Sequence, residues 1–113
     1  MSPITTHVLD VAKGHPAEGI SVVLEYLANG SWEELARGIT NKDGRITDLL
    51  TEATALQTGT YRLSFATATY FHQCGVEGFY PSVPVIFEIR DTAQHYHVPL
   101  LLSPFGYSTY RGS

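Results

Sequence analysis

The sequence predicts an all-β fold, a sandwich or barrel of short strands. Three observations carry this. Runs rich in β-branched and aromatic residues recur at fairly regular spacing, separated by turn residues. Two of them, TYRLSF (60–65) and HYHVPLLLS (95–103), follow the two-residue period of a strand. The chain has 113 residues, 43% hydrophobic and 16% charged, enough for a packed core and too short for a second one. A single domain over 1–113 is the expectation.

The elements follow in order. ITTHVLDV (4–11) reads as a first strand, and KGHPAEG after it as a Gly/Pro loop. ISVVLEYL (20–27) reads as the second strand, closed by Asn29-Gly30, a strong hairpin signal. SWEELARGIT (31–40) has no decisive period, but it lies between two turn signals and is read as a strand. Asn41, Lys42, Asp43 and Gly44 form the next turn, with Arg45 directly after it. TYRLSF places Tyr61, Leu63 and Phe65 on one face, and VPVIFEIR (83–90) and HYHVPLLLS complete the strands. Two segments have helical features. In 48–59, apolar residues fall at 49, 50, 53 and 56 ahead of Gly59; ATATYFHQCG (66–75) also ends at a glycine. Periodicity alone favours the first.

Composition narrows the partners. The net charge is −4 with no basic cluster, which argues against nucleic acid and anionic membranes. No apolar run approaches the roughly 20 residues that span a bilayer. MSPITTHVLD lacks the basic start and apolar stretch of a secretory signal. The one cysteine, Cys74, rules out an internal disulfide and a multi-cysteine zinc site. A cytoplasmic protein is expected. A chain this small buries a modest core, so oligomerisation is a natural supplement.

The run 95–103 is unusual in having two non-solvent faces. One carries Tyr96, Val98, Leu100 and Leu102, a core face; the other carries His95, His97, Pro99, Leu101 and Ser103. A partly apolar face with imidazoles at one end suits a pocket or a subunit contact. In the first strand, Thr5, His7, Leu9 and Val11 share one face and Ile4, Thr6, Val8 and Asp10 the other. The sequence leaves open whether His7 sits in core or pocket.

Five histidines invite three readings. A metal site would use His95 and His97 with His7 as third ligand, but Asp91 and Asp10 sit at no recognisable metal spacing. A structural role, each ring satisfying a local hydrogen bond, is adequate for His15 and His72. The third reading is acid/base chemistry without a metal or other cofactor. There a neutral imidazole activates water and a fixed cation such as Arg45 steadies an oxyanion. No Ser-His-Asp order, Gly-x-Ser-x-Gly elbow or phosphate-binding glycine loop is present.

TTHVLDVAKGHPA, TNKDGR, YFHQ, FYPSVPVIFEI and HYHVPLLLSPFGYSTYRGS together resemble the transthyretin-like family, more narrowly its 5-hydroxyisourate hydrolase branch. The resemblance runs from about residue 4 to the last residue, and the closing YRGS is its most specific part. It implies a sandwich of two four-stranded antiparallel sheets, of the prealbumin type. It also implies one short helix near 67–74, with loop where periodicity favours helix at 48–59. It implies a homotetramer whose dimers join edge to edge and then pack face to face around a channel.

His7, Arg45 and His97 match the family's catalytic trio. Tyr110 matches a substrate contact, with Ser108, Arg111 and Ser113 as neighbours. His95 falls outside the trio. The hormone-carrying branch shares VLD, the LLSP run and YST but lacks both histidines and YRGS. The implied reaction is hydrolysis of 5-hydroxyisourate to the ureido-imidazoline carboxylate (OHCU) in urate degradation. The alternative is a non-catalytic carrier of a small planar aromatic ligand.

Overall fold

The computed structural model describes residues 2–51 and 54–113. Its strands are β1 (Ile4–Asp10), β2 (His15–Pro16), β3 (Ser21–Ala28), β4 (Ser31–Ile39), β5 (Arg45–Ile46), β6 (Gly59–Phe65), β7 (Val83–Ile89), β8 (Tyr96–Ser103) and β9 (Gly106–Thr109). The one helix among the described residues, α1, spans Thr67–Gln73 between β6 and β7. The strands form two sheets, β2-β1-β8-β9 with β5 beside β1, and β4-β3-β6-β7. The expected two-sheet β-sandwich is therefore present, with its helix at the expected place. No helix among the described residues is long and apolar enough to cross a membrane.

The second sheet is antiparallel throughout. Its inward residues line up across strands: Val22 opposite Phe65, Leu24 opposite Leu63, Tyr26 opposite Tyr61, and Leu63 opposite Val85. Alternation along β3, β6 and β7 makes this possible, because every second residue there is apolar; edge strand β4 sets Gly38, Ala36 and Glu33 opposite Val22, Leu24 and Tyr26 and does not share the period. The first sheet differs from the expectation in two ways. β1 and β8 run parallel, Ile4 opposite Tyr96 through Asp10 opposite Leu102. A parallel pair needs a long crossover, and here the whole second sheet provides it. The free edge of β1 is also shared by two short strands, β5 along Thr6–His7 and β2 along Leu9–Asp10.

The core lies between the sheets. From β1 it takes Ile4 and Val8, and from β8 Tyr96, Val98, Leu100 and Leu102, so the core face read for 95–103 holds. Asp10 is buried with them. Its carboxylate accepts from Ala12 N and Lys13 N (3.1 Å each) and from the Tyr70 hydroxyl of α1 (2.7 Å), which ties the helix to the end of β1. The described part of 48–58 is loop, as the family resemblance implies and periodicity does not. Leu49 and Leu50 are buried there as plugs, with Leu50 N donating to Ser2 Oγ (3.0 Å). Ala53, one of the apolar positions of that pattern, lies outside the described residues.

Candidate active site

With Ile4, Thr6, Val8 and Asp10 inward, Thr5, His7 and Leu9 of β1 must face out of the sandwich. The parallel register sets Thr5 opposite His97, His7 opposite Pro99 and Leu9 opposite Leu101. On the other side of β1, Arg45 stands opposite His7. Two imidazoles and a guanidinium from three strands thus share one outer face.

Arg45 owes its place to the turn before it. Asn41 Oδ1 accepts from Asp43 N (2.9 Å) and Arg45 N (3.0 Å), and Gly44 N donates to Asn41 O (2.8 Å). Gly44 has φ +73°, and its carbonyl accepts from Val8 N at 2.7 Å. A Cβ there would collide with the Val8 carbonyl, so only glycine lets the turn lie flat against β1.

His97 is held from two sides. Its Nδ1 lies 2.8 Å from Thr5 Oγ1, which also lies 3.1 Å from His95 Nε2. Its carbonyl accepts from Gly112 N at 2.8 Å, so the terminal segment closes over the strand. A Cβ at Gly112 would lie 2.7 Å from His97 Cδ2 and 3.2 Å from Pro99 Cγ. The glycine of YRGS is therefore what lets the tail rest on the imidazole.

An open cavity of about 330 Å³ is lined by Thr5, Arg45, Thr47, His95, His97 and Ser113, with Thr6 at its floor. Its electrostatics favour uncharged imidazoles. Burial, then the Arg45 guanidinium, hold His7 below the usual imidazole value, with the Asp43 carbonyl and carboxylate pulling the other way. His97 is lowered by burial first, then by Arg45, His7 and His95. None of the ion pairs among the described residues uses Arg45. The site can thus offer neutral proton acceptors beside a planar five-donor cation with which no described carboxylate pairs.

Of the residues read from sequence, Arg45, His97 and Ser113 line this cavity, and His7 stands beside it, opposite Arg45 and close enough to act on His97. Ser108 is exposed on the same outer face, opposite Leu101 on β9. Tyr110 and Arg111 lie elsewhere in the single chain. Tyr110, 57% exposed, lines an apolar recess of about 310 Å³ with Val85, Phe87, Tyr96 and Val98. Arg111 stacks 4.5 Å over the Tyr96 ring and donates to Gln94 Oε1 (2.6 Å). Sequence reasoning missed Thr5, Thr47 and Gly112. The signal for Thr5 was its place two residues before His7 on the same face. Among the described residues no three His, Cys, Asp or Glu side chains are arranged to hold a metal ion.

Residues 4–112 match the HIUase/Transthyretin family. The 5-hydroxyisourate hydrolase of Mus musculus is 50% identical over 114 residues, covering 99% of this chain and 96% of that protein. The structure of Klebsiella pneumoniae 5-hydroxyisourate hydrolase superposes with a TM-score of 0.85 at 40% identity, covering 97% of this chain and 98% of that one. Sea bream transthyretin in complex with thyroxine superposes with a TM-score of 0.92 at 33% identity, covering 98% and 95%.

Proposed function

Because the chain belongs to the HIUase/transthyretin family, we propose that it is its hydrolase form, one unit over 1–113 that converts 5-hydroxyisourate to OHCU. Fold does not separate hydrolase from carrier, since the backbone fits both kinds of neighbour well. The observation that carries the reading is the convergence of His7, His97 and Arg45 on one outer face, with both rings held toward the neutral form.

Hydrolysis of a cyclic amide has three needs. A water must lose a proton as its oxygen bonds to the carbonyl carbon. The carbonyl oxygen must carry negative charge in the transition state. The ring nitrogen must gain a proton as the C–N bond breaks. A neutral imidazole can accept the first proton near neutral pH and return one to nitrogen. His7 and His97 share these tasks. Arg45 holds the carbonyl-rich ring through its planar fork and stabilises the oxyanion. We write the reaction without a metal: one ring nitrogen of His95 and one of His97 are already engaged by the Thr5 hydroxyl.

The substrate contacts assigned to Ser108, Tyr110 and Arg111 belong to the assembled form. The outer face beside the histidines carries half-buried Leu9 and Leu101, and Val11 is 48% exposed, a surface suited to a second copy. β7, with Ile86 outward, ends the second sheet and offers a free edge for pairing. Both features support a homotetramer with the site in its channel.

The test is to make 5-hydroxyisourate freshly with a urate oxidase and follow its ultraviolet decay with and without the protein. Faster decay, unchanged by a chelator, is expected. Ligand binding without faster decay would make it a carrier, and loss to chelator with recovery on zinc would make it a metal enzyme. Light scattering should give a tetrameric mass; a monomeric one overturns the interfacial site.

A further inference from the structure

His95 plays no part in the trio, yet it is joined to it. The Thr5 hydroxyl has one proton and sits between two ring nitrogens, His95 Nε2 at 3.1 Å and His97 Nδ1 at 2.8 Å. It can donate to one ring only while accepting N–H from the other. Thr5 is buried, at 5% exposure, whereas His95 is exposed and His97 half-buried. All three line the same open cavity, with buried Thr5 bridging exposed His95 and half-buried His97.

We propose that Thr5 is a positioning residue that couples His95 to His97, and that it relays a proton from His97 to the more exposed His95, which gives it up to water. The inference rests on the hydrolase reading and deepens it. In one arrangement His97 Nδ1–H donates to Thr5, Thr5 O–H donates to His95 Nε2, and His97 Nε2 is bare to accept a proton. When Nε2 takes the proton of water, the Nδ1 proton passes to Thr5 Oγ1 as the Thr5 proton passes to His95 Nε2. His97 ends neutral with Nε2–H, ready to protonate a leaving nitrogen, and His95 releases its Nδ1 proton to water. Atoms and charge balance: one proton leaves the groove and one hydroxide equivalent stays to attack.

The need for such a relay is electrostatic. A lone base at position 97 would become an imidazolium facing the Arg45 guanidinium of β5 and His7 of β1. Among the described residues the Asp43 carboxylate bears on His7, and none bears on His97. Passing the charge to exposed His95 places it where water solvates it. The hydrogen bond at one imidazole nitrogen fixes what the other can do, so Thr5 also sets the reacting tautomer.

The experiment compares Thr5→Val, Thr5→Ser and His95→Gln with the parent protein. Turnover is read against pH, and ¹⁵N–¹H spectra of the free protein report the tautomer of His97. Thr5→Val and His95→Gln should lower kcat by about ten- to a hundredfold with little change in KM, the range for a partner that orients a histidine. Thr5→Ser, which restores the hydroxyl, should recover most of it. In both impaired variants the His97 ring ¹⁵N shifts should move, reporting a changed balance of its two tautomers. Unchanged His97 spectra in Thr5→Val and His95→Gln would overturn the coupling. His95→Gln, at an exposed position, reads it even if buried Thr5→Val folds poorly. If the spectra respond but the parent protein does not hydrolyse 5-hydroxyisourate, the coupling stands and the hydrolase reading fails.

Discussion

Each sheet carries on its outer face an arginine directly across from a partner strand, and the two could hardly be used more differently. On the second sheet Arg62 stands opposite Glu25, with 2.7 Å between guanidinium and carboxylate. The same guanidinium lies 4.3 Å over the Trp32 ring. Its charge and its donors are consumed locally. On the first sheet Arg45 stands opposite His7, and no described carboxylate pairs with it. Its field acts on His7 and His97 instead, holding both toward neutrality. An arginine whose charge is answered by its neighbours is part of the scaffold. One whose charge is left to shape imidazoles is available to a ligand.

Removing the imidazoles should break this contrast most severely. His7→Ala or His97→Ala should cut turnover at least about a hundredfold, the lower range for general acid/base help. Arg62→Met should leave turnover near the parent value. Decay of fresh 5-hydroxyisourate read for all three variants is the check, and equal losses would erase the distinction between the faces.

A smaller loss should come from the glycines that shape the site without touching substrate. Gly44→Ala forces a side chain into a φ of +73° against the Val8 carbonyl. It should cost about 1 kcal/mol or more in denaturant unfolding. By displacing Arg45 it should also lower kcat by up to about a hundredfold. Gly112→Ala pushes on His97 and Pro99 from an edge. It should lower kcat while leaving the unfolding midpoint almost unmoved.

The acid limb of the pH profile offers a subtler reading. Both histidines sit below the ordinary imidazole value, so the neutral, proton-accepting form persists to lower pH than in a free imidazole. Arg45→Gln removes one lowering influence on each ring and leaves burial, the larger one, in place. The half-maximum of the acid limb should therefore move to higher pH. A limb that stays put, or moves down, would mean the arginine does not govern the rings.

Legibility in the sequence followed range. The core face of 95–103 and the hairpin at Asn29-Gly30, where Asn29 takes a φ of 53°, are written in neighbouring residues and could be read directly. The two-residue strands β2 and β5 are too short to show a period. The parallel pairing of β1 with β8 joins residues some ninety positions apart and leaves no local mark, so Thr5 and His97 could not be seen as partners. Loop 48–51 misled because Leu49 and Leu50 are buried for plugging the core, which helical spacing imitates. The trio itself was named through family resemblance; composition and spacing alone stopped at a histidine-lined pocket. Tyr110 and Arg111 could not be placed from one chain, since their proposed contacts belong to an assembly.

The mildest change should appear on the scaffold side. Arg62 and Glu25 are 27% and 18% exposed at their side chains, so water still screens the pair. The pair and the contact with Trp32 together should contribute about 1 kcal/mol. Arg62→Met keeps most of the apolar stem and removes the charge, leaving Glu25 half-buried and alone. Unfolding in urea should therefore show a loss of about 1 kcal/mol. In the double variant Glu25→Gln with Arg62→Met, the stranded carboxylate is gone and part of that loss should return. The same pair of substitutions should not shift the acid limb of turnover, because neither group bears on His7 or His97. A shift there would mean that the two sheets are electrically linked, and that the outer face of the second takes part in the chemistry of the first.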